Sequence, residues 1–185
     1  MKTLAEIFNP DARQAALVTL DVGRWRAMEV RDYHKLLDAV RVTDTAPEAV
    51  LEQFEVARNL MLYGWFVYEF YTVGGTQALA SLEFGLREAY TVSANAGGAD
   101  VGSKTRRGLT RYIRWAKESE LLPDGLLRHR IESLIPSLRN QLAHGGRTLL
   151  DFGTAVFQLE VTADMLNMVY SKLEERKAAG CEERL

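Results

Sequence analysis

The chain holds 185 residues, 47% hydrophobic and 26% charged with a net charge of −2, the profile of a soluble globular protein rather than a disordered or linker-rich one. Its one cysteine, Cys181, excludes a disulfide framework and a cysteine zinc site. Three histidines scattered at positions 34, 129 and 144 leave no cluster for a structural metal, so no metal or cofactor is expected.

The start, "MKTLAEIFNPDARQ", lacks the apolar stretch of a signal peptide. The most apolar run, "NLMLYGWFVY" (59–68), is shorter than the roughly 20 residues that cross a bilayer and reads as a buried helix. A cytoplasmic protein with no membrane partner is expected. "AEIFN" and "EVRDYHKLLDAVRV" read as helical, whereas "AALVTLDVGRW" reads equally as strand or helix. His34, beside Tyr33, reads as a packed or surface residue rather than a ligand.

From Thr45 the pattern is clearer. Thr45 is placed to cap a helix, Pro47 to occupy its first turn, and Glu48 to meet the positive end of its dipole. The aromatics between 63 and 71 read as core filling. Gly74 and Gly75 are expected to break or bend the segment before a second helix through Leu79, Leu82, Leu86 and Ala89, giving an antiparallel pair. "TVSANAGGADVGSK" (91–104) reads as a loop, and with no strand before it and no Gly-Lys-Ser/Thr ending it is not a phosphate-cradling one. A basic helix in "RRGLTRYIRWAKESELL", a turn at "PDG", the segment "LLRHRIESLIPSLRNQLAHGG" and a long last helix from "FGTAVFQ" complete the chain. The expected fold is an all-α up-and-down bundle of four to five main helices over residues 46–185, with residues 1–45 an extension packed on the same domain.

Charge is unevenly spread. Ser103 to Arg147 carries 10 Lys and Arg against 4 Asp and Glu, while the rest of the chain is net negative. That positive field surrounds "LRNQLAHGG" (138–146) and would attract a polyanion, which makes Arg107, Arg111, Arg128 and Arg147 candidate substrate-binding cations.

On a helical wheel with Leu138 at zero, Leu127, Ile131, Leu134 and Leu142 fall within about 40° of it, an apolar stripe. Asn140 and His144 fall at roughly 200° and 240°, on the opposite side. Spaced four apart, they stack, so the amide can orient the imidazole. Gly145 and Gly146 end the helix, which leaves His144 in a last turn whose negative dipole favours its protonated form. An imidazole so placed suits general acid–base work at a phosphodiester, and Arg139 would hold the phosphate and offset developing charge. Arg139 and His144 lie about 140° apart on a regular helix, so they converge most simply across a two-fold axis between two copies. Pro136 either kinks this helix or starts a new one; the wheel from 137 to 144 is the same in both cases.

The wording "LRNQLAHG" resembles the signature of the HEPN superfamily (higher eukaryotes and prokaryotes nucleotide-binding domain): an Arg, usually followed by a polar residue, with four to six residues between that Arg and a His. Here these are Arg139, Asn140 and His144. "ALASLEFGLREAY" looks like the family's earlier core helix and "YIRWAKESELL" like the short helix before the motif, so the likeness runs from about Ala46 to Lys177. It implies a HEPN-like helical bundle that dimerises with its motifs face to face. In many members it also implies a metal-independent endoribonuclease, a toxin of a toxin–antitoxin pair or an anti-phage effector, held in check by an antitoxin or regulatory protein. His144 would then be general acid or base, Arg139 the phosphate binder and Asn140 the orienting residue, with RNA as substrate. Glu83, in the earlier helix, could add an acidic group to the cleft.

Two other readings belong to other classes. One is a non-catalytic nucleotide-binding or dimerisation module acting with a partner protein. The other is a helical regulator gripping duplex DNA through "RRGLTRYIRWAK", although no helix-turn-helix signature accompanies those basic residues.

Overall fold

The computed structural model describes residues 2–96, 108–123 and 149–182, and over these the chain is mostly helical. Short 3-10 turns at Leu4–Glu6 and Ala12–Ala16 precede an antiparallel hairpin of β1 (Val18–Asp21) and β2 (Arg24–Ala27). Five α-helices follow among the described residues: α1 (Val30–Ala39), α2 (Glu48–Tyr63), α3 (Phe70–Ala96), α4 (Leu109–Glu118) and α5 (Phe152–Glu182).

The hairpin amends the all-α expectation and decides the ambiguous "AALVTLDVGRW" in favour of strand. "AEIFN" forms a 3-10 turn and no α-helix. Val22 and Gly23 both have positive φ, 45° and 76°, the backbone of a two-residue turn whose twist matches the strands. Leu20 pairs with Trp25 and Val18 with Ala27 on one face, and that apolar face is largely exposed. The opposite face is polar. There Arg26 bonds Asp21 at 2.9 Å and Asp32 of α1 at 2.6 Å, tying the hairpin to the first helix.

In α2, Val50, Phe54, Ala57 and Met61 are buried, the spacing of one helical face turned inward. Pro47 rather than Thr45 is its N-cap: the carbonyl of Pro47 accepts from Val50 and Leu51, while the Thr45 hydroxyl meets that of Thr43. The helix ends at Gly64, whose N–H returns to Leu60 and Met61, so "NLMLYGWFVY" is half helix and half connection.

The expected break at Gly74 and Gly75 does not occur; α3 runs through both. Their lack of a side chain serves packing instead. A Cβ on Gly74 would come within 3.1 Å of the Met61 backbone nitrogen, and one on Gly75 within 2.6 Å of Leu150 Cδ1. Residues 91–96, read as loop, form the last turns of α3 because small residues do not stop a helix that is already propagating.

The contacts fix the helix directions. Met61 lies by Gly74, Gln53 bonds Gln77 and Ser81, and Val50 lies by Gly85, so α2 and α3 are antiparallel. Gly75 faces Gln158 and Gly85 faces Leu166, so α5 runs parallel to α3. Asp151 caps α5 by accepting from the Thr154 amide at 2.9 Å and its hydroxyl at 2.8 Å. The core gathers Leu79, Leu82 and Leu86 of α3 against Leu159 and Leu166 of α5 and Val50 of α2. Each such fully buried side chain contributes about 1.5–3 kcal/mol of transfer free energy.

Residues before 46 share this core. Tyr33 is fully buried, donates its hydroxyl to the Met61 carbonyl, and stacks on Trp65 with centroids 5.5 Å apart. Buried Gln14 donates to the carbonyl of Gly64 and the hydroxyl of Tyr71. Burial pushes the Tyr33 phenol far above its ordinary range. His34, beside it, is exposed. Trp65 and Tyr71 are the core members of the aromatic cluster, whereas Tyr63 is 56% exposed.

Candidate functional site

Six of the residues singled out in the sequence, Arg139, Asn140, His144, Arg107, Arg128 and Arg147, lie outside the described residues, as does the apolar stripe from Leu127 to Leu142. Arg111 is described. It stands on the exposed side of α4.

That helix is strongly two-faced. Leu109, Tyr112, Ile113 and Ala116 are buried, while Thr110, Arg111, Arg114 and Glu118 are exposed. Gly108 is the N-cap and supplies no side-chain bond. The far end is closed from α5, where Lys172 donates to the Glu120 carbonyl at 2.6 Å and Arg176 to the Ser119 carbonyl at 2.7 Å. Cations at a helix C-terminus satisfy its orphan carbonyls and oppose its dipole. Glu120, with φ 57°, turns the chain so that the amides of Leu121 and Leu122 return to Ala116. The exposed face of α4 is thus held in a fixed orientation.

Between that face and the C-terminal half of α3 lies a cavity of about 550 Å³. Tyr90 of α3 forms one wall and Arg111, Arg114, Trp115 and Glu118 the other. Tyr90 meets Trp115 in a T-shaped contact, centroids 5.2 Å apart, and tilts against Tyr112 at 6.0 Å. Arg111 and Arg114 make no ion pair with another described residue. Two guanidinium groups beside aromatic rings can hold an anion and a flat ring at once.

Compared with protein-family models, curated proteins and solved structures, the chain finds no match.

Two further hollows are less suited to chemistry. One, near Asp38, Glu55 and Arg58, is occupied by its own ion pairs: Arg58 bonds the Glu55 and Asp38 carboxylates and the Leu37 carbonyl. The other, under the N-terminal turn, is mainly apolar, lined by Leu4, Ile7, Phe66 and Val67. Among the described residues no group of three or more His, Cys, Asp and Glu is arranged to hold a metal ion, and no helix is long and apolar enough to cross a membrane. Glu83 is half-buried on α3.

Sequence reasoning grouped Arg111 with other arginines by charge and did not single out Arg114, Trp115 and Tyr90. The spacing 111, 114, 115, 118 already places four of these side chains on one helical face. Tyr90 joins them through the packing of α4 on α3, which no local pattern reports.

Proposed function

We propose that the protein is a metal-independent endoribonuclease of toxin–antitoxin or anti-phage type, a HEPN-like homodimer. Arg139 and His144 of two copies form one composite site. The observation that carries this reading is the order Arg139-Asn140 followed by Ala143-His144-Gly145 at the end of an apolar-striped segment. The mostly helical architecture and the basic exposed face of α4 support it.

In this reaction the substrate's 2′-hydroxyl attacks the adjacent phosphorus and gives up its proton to a base. The bond to the 5′-oxygen breaks, and that oxygen takes a proton from an acid. A 2′,3′-cyclic phosphate and a 5′-hydroxyl result. His144 serves as acid or base with Asn140 orienting its ring, and Arg139 binds the phosphate and offsets the charge that builds on its oxygens. An antitoxin or regulatory protein would restrain such an activity.

The deciding experiment compares the wild-type protein with His144→Ala on RNA in excess chelator and maps the product ends. Cleavage with cyclic phosphate ends, lost in the variant, is expected. Equal background from both proteins would refute the nuclease and favour the non-catalytic nucleotide-binding module.

A further inference from the structure

We infer that the cavity between α3 and α4 is a docking subsite for one nucleotide of single-stranded RNA, its phosphate held by Arg111 and Arg114 and its base laid against Trp115 and Tyr90. The inference rests on the ribonuclease reading for its choice of RNA, and it places a binding surface on residues separate from the proposed catalytic ones.

Three observations and one general rule carry it. The cavity, about 550 Å³, is of the size that accepts a nucleotide-sized ligand. Arg111 and Arg114 are exposed and make no ion pair with another described residue, so a phosphate displaces no existing described partner. Trp115 and Tyr90 are half-buried, which holds their rings in place and leaves part of each accessible. Packed aromatic rings beside cationic side chains are the recurring composition of single-strand sites, since every base has a π-face and every linkage a charge.

The order of residues along α4 gives the nucleotide a direction. Arg111 lies in the first turn of the helix, where the dipole also favours negative charge, and Arg114 lies near its middle. Glu118 lies one turn beyond Arg114, at the end where a phosphate would be repelled. The phosphate therefore belongs toward Arg111 and the base toward Trp115 and Glu118. There the carboxylate accepts a hydrogen bond from an exocyclic amino group, as adenine and cytosine provide and uracil does not. A duplex is a poorer fit, because its bases are stacked inside and cannot reach the rings.

The probe is fluorescein-labelled single-stranded oligoadenylate, titrated into full-length His144→Ala protein and followed by anisotropy, so that cleavage does not confound binding. Adding Arg111→Ala and Arg114→Ala together is expected to weaken binding at least tenfold. It should also flatten the slope of log K against log salt by about 1.4, two contacts at about 0.7 each. The Arg111→Lys, Arg114→Lys pair should keep the slope, and Trp115→Leu should weaken binding roughly 5- to 100-fold with the slope unchanged. Trp115→Phe, the smaller change, should bind between the two and keeps the ring test available if the Leu variant misfolds. Oligouridylate should bind more weakly than oligoadenylate, and Glu118→Ala should narrow that gap.

Binding within twofold of the parent for the double alanine variant overturns the subsite. So does tighter binding of duplex DNA of the same length. The two failures are distinguishable. Cleavage by the wild type with arginine-independent binding removes the subsite and spares the nuclease; arginine-dependent binding without cleavage does the reverse.

Discussion

The hydroxyl of Tyr170 donates to the carbonyl of Gly85 at 2.8 Å, joining α5 to α3. Gly85 permits this approach because it has no side chain. A Cβ there would overlap the Leu166 side chain and lie 3.1 Å from Val50 Cγ1, so three helices converge on one glycine.

Gly85→Ala should therefore destabilise the protein. The overlap with Leu166 puts the overpacking in the upper part of the usual range, about 2–3 kcal/mol, and the gain in helix propensity returns roughly 1, for a net loss of about 1–2 kcal/mol. Thermal unfolding should show a fall of about 2–8 °C. Gly153→Ala, where the nearest atom is Asp151 Oδ1 at 3.4 Å, should leave the midpoint unchanged or raise it. Equal midpoints for Gly85→Ala and wild type would mean that Leu166 moves aside without cost.

A second tie is made by Asn167, which accepts from the Thr43 amide at 2.8 Å and donates to the Arg41 carbonyl at 2.9 Å. One side-chain amide thus fixes the segment between α1 and α2 onto α5. Asn167→Ala should cost about 1–2 kcal/mol, two bonds at roughly 0.5–1.5 each less what water recovers. Hydrogen exchange at Thr43 should accelerate in the variant more than exchange in the α2 core. Asn167→Asp keeps the acceptor for Thr43 and loses the donor to Arg41, so Thr43 protection should largely return. Unchanged exchange in Asn167→Ala would show that this segment is held by other contacts.

Much of this was legible along the chain, for a physical reason in each case. Val50, Phe54, Ala57 and Met61 are spaced for one inward face, and the apolar period of α5 runs from Ala155 to Tyr170 with no glycine or proline to interrupt it. Other features depend on contacts distant in sequence. Gly74 and Gly75 look like breakers locally, yet they are the places where Met61 and Leu150 press on α3. The turn of the hairpin carries Val22 at φ 45° in place of the Asn or Asp that announces such a turn, so its two strands did not stand out. At the cavity, the arginines of α4 were visible through their charge. The aromatic wall was not, because Tyr90 reaches Trp115 only through the packing of α4 on α3.

Acid should weaken the N-terminal segment through Asp11. The side chain of Arg13 bonds this carboxylate, which also accepts from the Arg13 amide, and its pKa is held down at about 2 against an ordinary 3.8. A depressed carboxylate contributes stability that is fully present above 3.8 and is lost as pH falls toward about 2. Asp11→Asn should be less stable than wild type at about pH 5, and the two should converge near pH 2 as the wild-type carboxylate protonates. Denaturant unfolding at both pH values measures this. A difference that stays constant across the range would assign the effect to the loss of a hydrogen-bond acceptor, not to charge.

The proposed composite site makes a prediction about mixtures of inactive proteins. Arg139→Ala and His144→Ala should each abolish RNA cleavage alone. If Arg139 of one copy works with His144 of the other, a heterodimer of the two variants has one intact site and one with both groups missing. Random re-pairing makes half the dimers heterodimers, so mixing after partial unfolding or co-expression should restore roughly a quarter of wild-type activity. A site built within each chain would stay silent in every mixture. The about 140° between positions five apart on a helix argues for the shared site, since one regular helix cannot turn both groups toward the same phosphate. Recovery near a quarter would establish the shared arrangement. Complete silence, with heterodimers verified by mass, would rule it out while leaving a single-chain nuclease to be judged by His144→Ala alone.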